Sequence, residues 1–254
     1  MPSCGFCGDA GVTKEHLRPK WLIEVILSSR AMGGMKSFQM ELERGGETSS
    51  FKNPTLQMTV GMPCGRCNGG WMSELESVVK PSMTDMVYQG EKTLLDEERK
   101  RSLIRWIVKF AMVNEFTGAP NEEKYFTEDE RRAFKERFEI PSNLWIWLGR
   151  YDGPRPAHAL QYRGKAGLGA VPQVYSLTAT ANFLVMQVFA YRDSADDLSR
   201  FPRATKSERL IQLYPLQDSL IVWPPPVTID DDALVPLDNR FVDVLKAAAE
   251  NAPT

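Results

Sequence analysis

Every cysteine in the chain belongs to one of two Cys-x-x-Cys pairs, Cys4/Cys7 and Cys64/Cys67. Two residues between thiols is the spacing at which both sulfurs of one tight turn reach a single tetrahedral ion at about 2.3 Å. Four thiolates close that shell, so the pattern predicts a structural zinc. The same residues could instead close two disulfides or stay as free thiols. Against disulfides stand the lack of an apolar signal segment and a remaining length free of cysteine. Residues 8–63 make a wider gap than a minimal zinc ribbon needs. A small substructure is therefore expected between the two knuckles, and it carries Glu15 and His16.

A chain of 254 residues, 43 % apolar and 25 % charged, has the composition of one large or two small globular domains. No stretch approaches the roughly 18 continuous apolar residues of a membrane helix. No membrane partner is expected, and a reducing cytoplasm is the expected compartment. The net charge of -2 and pI near 5.9 exclude a polybasic nucleic-acid binder of the kind recognised by charge alone. Any contact with DNA must use a local basic patch.

Residues 1–88 read as the zinc-bound module and residues 89–254 as an α+β domain for target recognition or dimerisation. Within the module, 19–27 reads as a short helix with Trp21, Leu22, Val25 and Ile26 on one face. The alternating stretch 38–42 is expected to form a hairpin with 55–60. Directly after the second knuckle, Trp71, Met72, Leu75, Val78 and Val79 fall at helical spacing. Further on, 102–113 reads as a buried helix, and Thr127 with Glu130 makes a capping box opening a polar one. From residue 143 the period becomes that of strands, at 144–148, 157–162, 176–191 and 209–222, before a closing helix at 239–249.

A histidine directly preceded by a carboxylate, at a strand end facing a helix N-terminus, suits metal-assisted phosphodiester chemistry. His16, neutral at pH 7, could take a proton from water while Glu15 holds a divalent ion against a phosphate. The amide oxygen of Asn68, at the helix opening, is a hard ligand suited to Mg²⁺ or Mn²⁺. Lys14, Arg18, Lys20 and Arg66 flank these residues and could neutralise phosphates without reading bases. Arg99, Lys100, Arg101, Arg105 and Lys109 form a second basic cluster, but interleaved Asp96, Glu97 and Glu98 equally suit a solvated face. Plainer readings stay open: Glu15 as a surface residue, Asn68 as a turn residue before Gly69 and Gly70, and His158 as structural.

The run Thr13-Lys14-Glu15-His16-Leu17-Arg18-Pro19-Lys20-Trp21, set between the Cys pairs, and the run Asn68-Gly69-Gly70-Trp71 after the second pair resemble an HNH endonuclease of the His-Me finger group. The resemblance covers roughly the first third of the chain. It implies a ββα-metal fold, His16 as general base, Glu15 and Asn68 on one catalytic Mg²⁺ or Mn²⁺, and Zn²⁺ on the four cysteines. Two departures stand out. Glu15 replaces the family's usual Asp, and Thr59 falls by spacing where the family has an Asn bracing the His loop. The expected fold class is therefore α+β, an N-terminal zinc-stabilised ββα-metal (HNH) module followed by a C-terminal helix-plus-antiparallel-sheet domain. The expected function is divalent-metal-dependent hydrolysis of DNA phosphodiester bonds in a phage or anti-phage setting. RNA stays open as a substrate and a homodimer as an assembly. The alternative is a non-catalytic, zinc-stabilised protein that binds nucleic acid or another protein.

Overall fold

The computed structural model describes residues 2–28, 38–44, 47–53, 56–118, 122–164, 174–192, 208–216 and 218–237. The helix expected at 239–249 lies outside the described residues.

After the Cys4/Cys7 turn the chain forms β1 (Lys14–His16) and α1 (Lys20–Ser28), which buries Leu22, Ile23 and Ile26. β1 pairs antiparallel with β4 (Thr59–Gly61), placing Lys14 opposite Gly61, Glu15 opposite Val60 and His16 opposite Thr59. Between them, β2 (Phe38–Arg44) pairs with β3 (Glu47–Asn53), from Phe38 opposite Asn53 to Arg44 opposite Glu47. The expected hairpin of 38–42 with 55–60 is thus corrected. Only Gly45 and Gly46 separate Arg44 from Glu47, the sequence signal of a two-residue hairpin, while β4 is taken by β1.

From Cys64 the chain runs through one helical turn, α2 (Gly65–Cys67), and a π-helical segment at Asn68–Met72 into α3 (Ser73–Tyr88). Gly70 leaves helical geometry, with φ -99 and ψ -116, and so lets α3 start in a new direction. α3 buries Leu75, Val79, Met83, Met86 and Val87, spaced as one helix face.

The rest of the chain is built around α4 (Glu97–Asn114), whose first turn is capped by the Asp96 side chain accepting from the Arg99 N–H. α4 follows β5 (Thr93–Leu95), which pairs with β11 (Ile221–Trp223). A 3₁₀ turn at Glu115–Thr117 leads toward α5 (Glu128–Arg137), opened by the reciprocal Thr127/Glu130 capping box. Then come β6 (Leu144–Arg150), β7 (Ala159–Gly164), β8 (Val174–Ala181), β9 (Leu184–Tyr191) and β10 (Leu210–Tyr214). They form one antiparallel sheet in the order β10-β6-β9-β8-β7. The protein is thus a mixed helix-and-sheet fold.

α4 packs against α3 on one side and β9 and β10 on the other. That is why 106–114 is buried without a break, well beyond the single stripe of a surface helix. The expected boundary at residue 88 falls between α3 and β5, yet one apolar core runs from Cys4 and Phe6 through Trp106 and Phe110 to Leu177 and Trp223. Buried polar ties cross it too. Arg18 donates to the carbonyls of Ala157 and His158, each at 2.9 Å, and Arg131 Nε donates to Gly5 O at 2.7 Å. No helix among the described residues is long and apolar enough to cross a membrane.

Candidate metal centre and the His16 face

The two knuckles lie side by side because backbone bonds tie them. Gly5 N–H donates to Met62 O at 2.9 Å, and Thr13 N–H donates to Pro63 O at 2.8 Å. Gly8 closes the first knuckle at φ +77, a left-handed conformation that favours glycine, and its N–H returns to Cys4 O. All four cysteines are free thiols, and their sulfurs lie within 4.8 Å of one another. The Cys7 and Cys64 sulfurs are 3.6 Å apart, against the roughly 3.8 Å edge that a tetrahedron of 2.3 Å Zn–S bonds requires. The set is placed to hold a metal ion such as zinc.

A buried indole supports that fit. Trp71 packs edge-on against Phe6, with ring centroids 5.0 Å apart, and its Nε1–H is buried without a regular acceptor. Burial pushes the Cys67 thiol up, while the Trp71 side chain acts on it in the opposite sense. A metal-bound thiolate at Cys67 would give this donor the acceptor it lacks. Arg66 is exposed and ion-paired with Asp9 of the first knuckle. It therefore serves the knuckle.

His16 ends β1, half-buried, opposite Thr59. Burial, and then the charge of Lys20, pull its pKa below the ordinary histidine value, with Glu76 opposing. Strand alternation turns Lys14 and His16 to one face and Glu15 to the other, as the exposed, buried, half-buried pattern of β1 records. Lys14 and Lys20 are both exposed. Asn68 reaches across from the helix start. Its Nδ2 donates to Thr13 Oγ1 at 3.3 Å and lies 3.5 Å from Lys14 O, so it braces the entry to β1.

Glu15 points inward. Its Oε1 lies 3.5 Å from Lys109 Nζ, and the same ammonium is 2.8 Å from Glu76 Oε1. Burial raises the Glu15 pKa, Lys109 pulls it back, and Glu76 raises it again. The structure thus brings His16, Lys14, Lys20 and Asn68 around β1 but turns Glu15 away from the His16 face. As placed, Glu15 and Asn68 do not fit a shared divalent ion. Glu15 faces an ammonium on the buried side of β1, and Asn68 meets the strand through its Nδ2 at Thr13 and Lys14. Among the described residues, the four cysteines are the one grouping of three or more His, Cys, Asp or Glu placed to hold an ion.

Arg18 is corrected as a phosphate contact. It is 3 % exposed, with its guanidinium spent on two carbonyls, and burial lowers its pKa to about 10. The second basic cluster is likewise engaged. Lys100 is buried and donates to Ser219 O, Arg101 pairs with Glu97, Arg105 lies over the Phe138 ring, and Lys109 meets the two carboxylates. His158 is buried, and its backbone bonds Thr180 and Arg18. Sequence reasoning missed the Lys109–Glu76 partnership, although Lys109 stands between Val108 and Phe110 in an otherwise apolar run. A lysine so placed is a signal of buried pairing.

No protein-family model, no curated protein and no solved structure matches the chain.

Proposed function

We propose that this protein is an HNH-type endonuclease that hydrolyses DNA phosphodiester bonds, with His16 as general base. The observation that carries the reading is the register placing His16 against Thr59 at the end of β1, with Asn68 reaching back to that strand from the helix that follows the second knuckle. Two short antiparallel strands and a helix, rooted on four thiols, hold an accessible imidazole at a fixed point. In this reading His16 takes the proton of a water that attacks phosphorus, and Lys14 and Lys20 neutralise the flanking phosphates. Zinc on Cys4, Cys7, Cys64 and Cys67 has a structural part, fixing the helix start relative to β1.

The engagement of Glu15 by Lys109 favours the second reading, a zinc-stabilised binding protein without catalysis. The two separate on supercoiled plasmid, comparing wild type with His16→Ala in Mg²⁺, Mn²⁺ or EDTA after elemental analysis shows zinc in both. Nicking or linearisation by wild type that disappears in His16→Ala is the expected result. Wild type that shifts DNA in a gel but cuts under no ion would replace the nuclease with the binding protein.

A further inference from the structure

Burying an ammonium in an apolar helix is costly unless partners surround it. Lys109 sits where α4 is covered on all sides, its side chain only 2 % exposed. Its two carboxylate partners come from different elements, Glu15 from β1 and Glu76 from α3, with side chains 8 % and 19 % exposed. The Trp106 ring lies on another side of the ammonium, its centroid 5.8 Å away. Three elements far apart in sequence therefore close on one positive charge, directly behind the strand that carries His16.

We propose that Lys109 is the resident cation of this site: its ammonium, rather than a divalent ion, serves Glu15, which acts as a positioning residue locking β1 and His16 onto α3 and α4. Lys109 belongs to the nuclease site proposed above, and that reading enters only in the choice of a divalent ion as probe. The physical ground is competition. A divalent ion on the Glu15 carboxylate would lie within a few ångströms of a fixed like charge in a water-poor setting, where repulsion is little screened. With Lys109 in place, Glu15 is closed to such an ion. With the ammonium removed, a buried carboxylate, Glu15, and a partly buried one, Glu76, are left to attract one.

The test is Mn²⁺ binding to the zinc-loaded full chain, read from the spectrum of free Mn²⁺ by electron paramagnetic resonance. Wild type, Glu15→Gln, Lys109→Met and the Lys109→Met/Glu15→Gln double variant are compared, each checked for zinc content and a cooperative melt. Glu15→Gln is expected to match wild type within about twofold, and Lys109→Met to bind Mn²⁺ at least about tenfold more tightly. The double variant should return to the wild-type level. Lys109→Gln, neutral but with N–H donors of its own, takes the place of Lys109→Met if the latter does not fold. Loss of about tenfold or more of Mn²⁺ affinity in Glu15→Gln alone overturns the assignment, as does a Lys109 variant that binds no more tightly than wild type. If nothing cuts nucleic acid while the Mn²⁺ pattern holds, the nuclease reading falls and the role of Lys109 stands. If His16-dependent cleavage is found but Glu15→Gln abolishes Mn²⁺ binding, the nuclease stands and the role of Lys109 falls.

Discussion

Around the cysteines, β1 and β4 are three residues each and pair only with each other, while in the large sheet β8 and β9 are eight residues each with every side chain buried. A two-stranded ribbon of that length cannot hold itself in water. Four convergent thiols, placed to hold a metal ion, would add to the packing of Phe6, Leu17, Val60 and Met62, whereas β8 and β9 are held by burial on both faces. α4 joins the two, and its buried Lys109 ammonium sits on the side where the short strands are. The contrast predicts that the site leans on its metal ligands and ion pairs and its platform on packing. Different perturbations should therefore break each.

Metal removal should have the largest effect. Chelation, or Cys67→Ser, forfeits a term of about 10–16 kcal/mol in small zinc modules. Hydrogen-exchange mass spectrometry should then show lost protection in β1, β4 and α2 and retained protection in β6, β8 and β9. Loss in the sheet as well would show that the shared core makes both regions one cooperative unit.

Phe189→Ala opposes this. Phe189 is fully buried in the cluster of Trp147, Tyr151 and Val185, and its truncation should cost about 3–5 kcal/mol in urea unfolding while zinc content stays unchanged.

Glu115 tests the joint between the regions. Burial raises its pKa from 4.5 to about 7, against the Tyr125 and Phe126 N–H groups that donate to its two oxygens. The folded state therefore holds this proton more tightly than the unfolded chain. Its contribution to stability should fall as pH rises from about 4.5 to about 7, by about 3 kcal/mol, and stay flat above. Urea midpoints across that range should follow this trend in wild type and lose it in Glu115→Gln.

The smallest effect belongs to the exposed lysines. Lys14→Ala and Lys20→Ala should each weaken DNA binding without changing the melt and reduce the slope of log K against log salt by about 1. An unchanged slope would remove that lysine from the phosphate contacts.

The features legible in the sequence were local. The two Cys-x-x-Cys pairs announced the thiol cluster, Thr127 and Glu130 the capping box, and alternation from residue 143 the strand-rich half, although 176–191 holds two strands and 209–222 ends in β11, which pairs with β5 outside the large sheet. Each signal is carried by residues a few positions apart, although the two Cys pairs that meet lie 57 positions apart. The fate of Glu15 was not legible, because its partner Lys109 is 94 positions away on another element. Nor was that of Arg18, which read as a surface cation beside Lys20 yet spends its guanidinium on carbonyls 139 and 140 positions on. The pairing of β4 with β1 rather than with β2 was hidden for the same reason, since alternation marks a strand but does not name its neighbour.

The sequence alone determined that four thiols could share one ion, that a helix would follow the second pair, and that the second half would be a helix-flanked antiparallel sheet. Spacing and periodicity are properties of a short stretch of backbone, and they survive any arrangement of the remainder. Only the tertiary structure decided which charged groups face water and which face each other. Burial of α4 between α3 and the sheet brought Lys109 behind β1, and a buried ammonium takes the nearest carboxylates the fold offers.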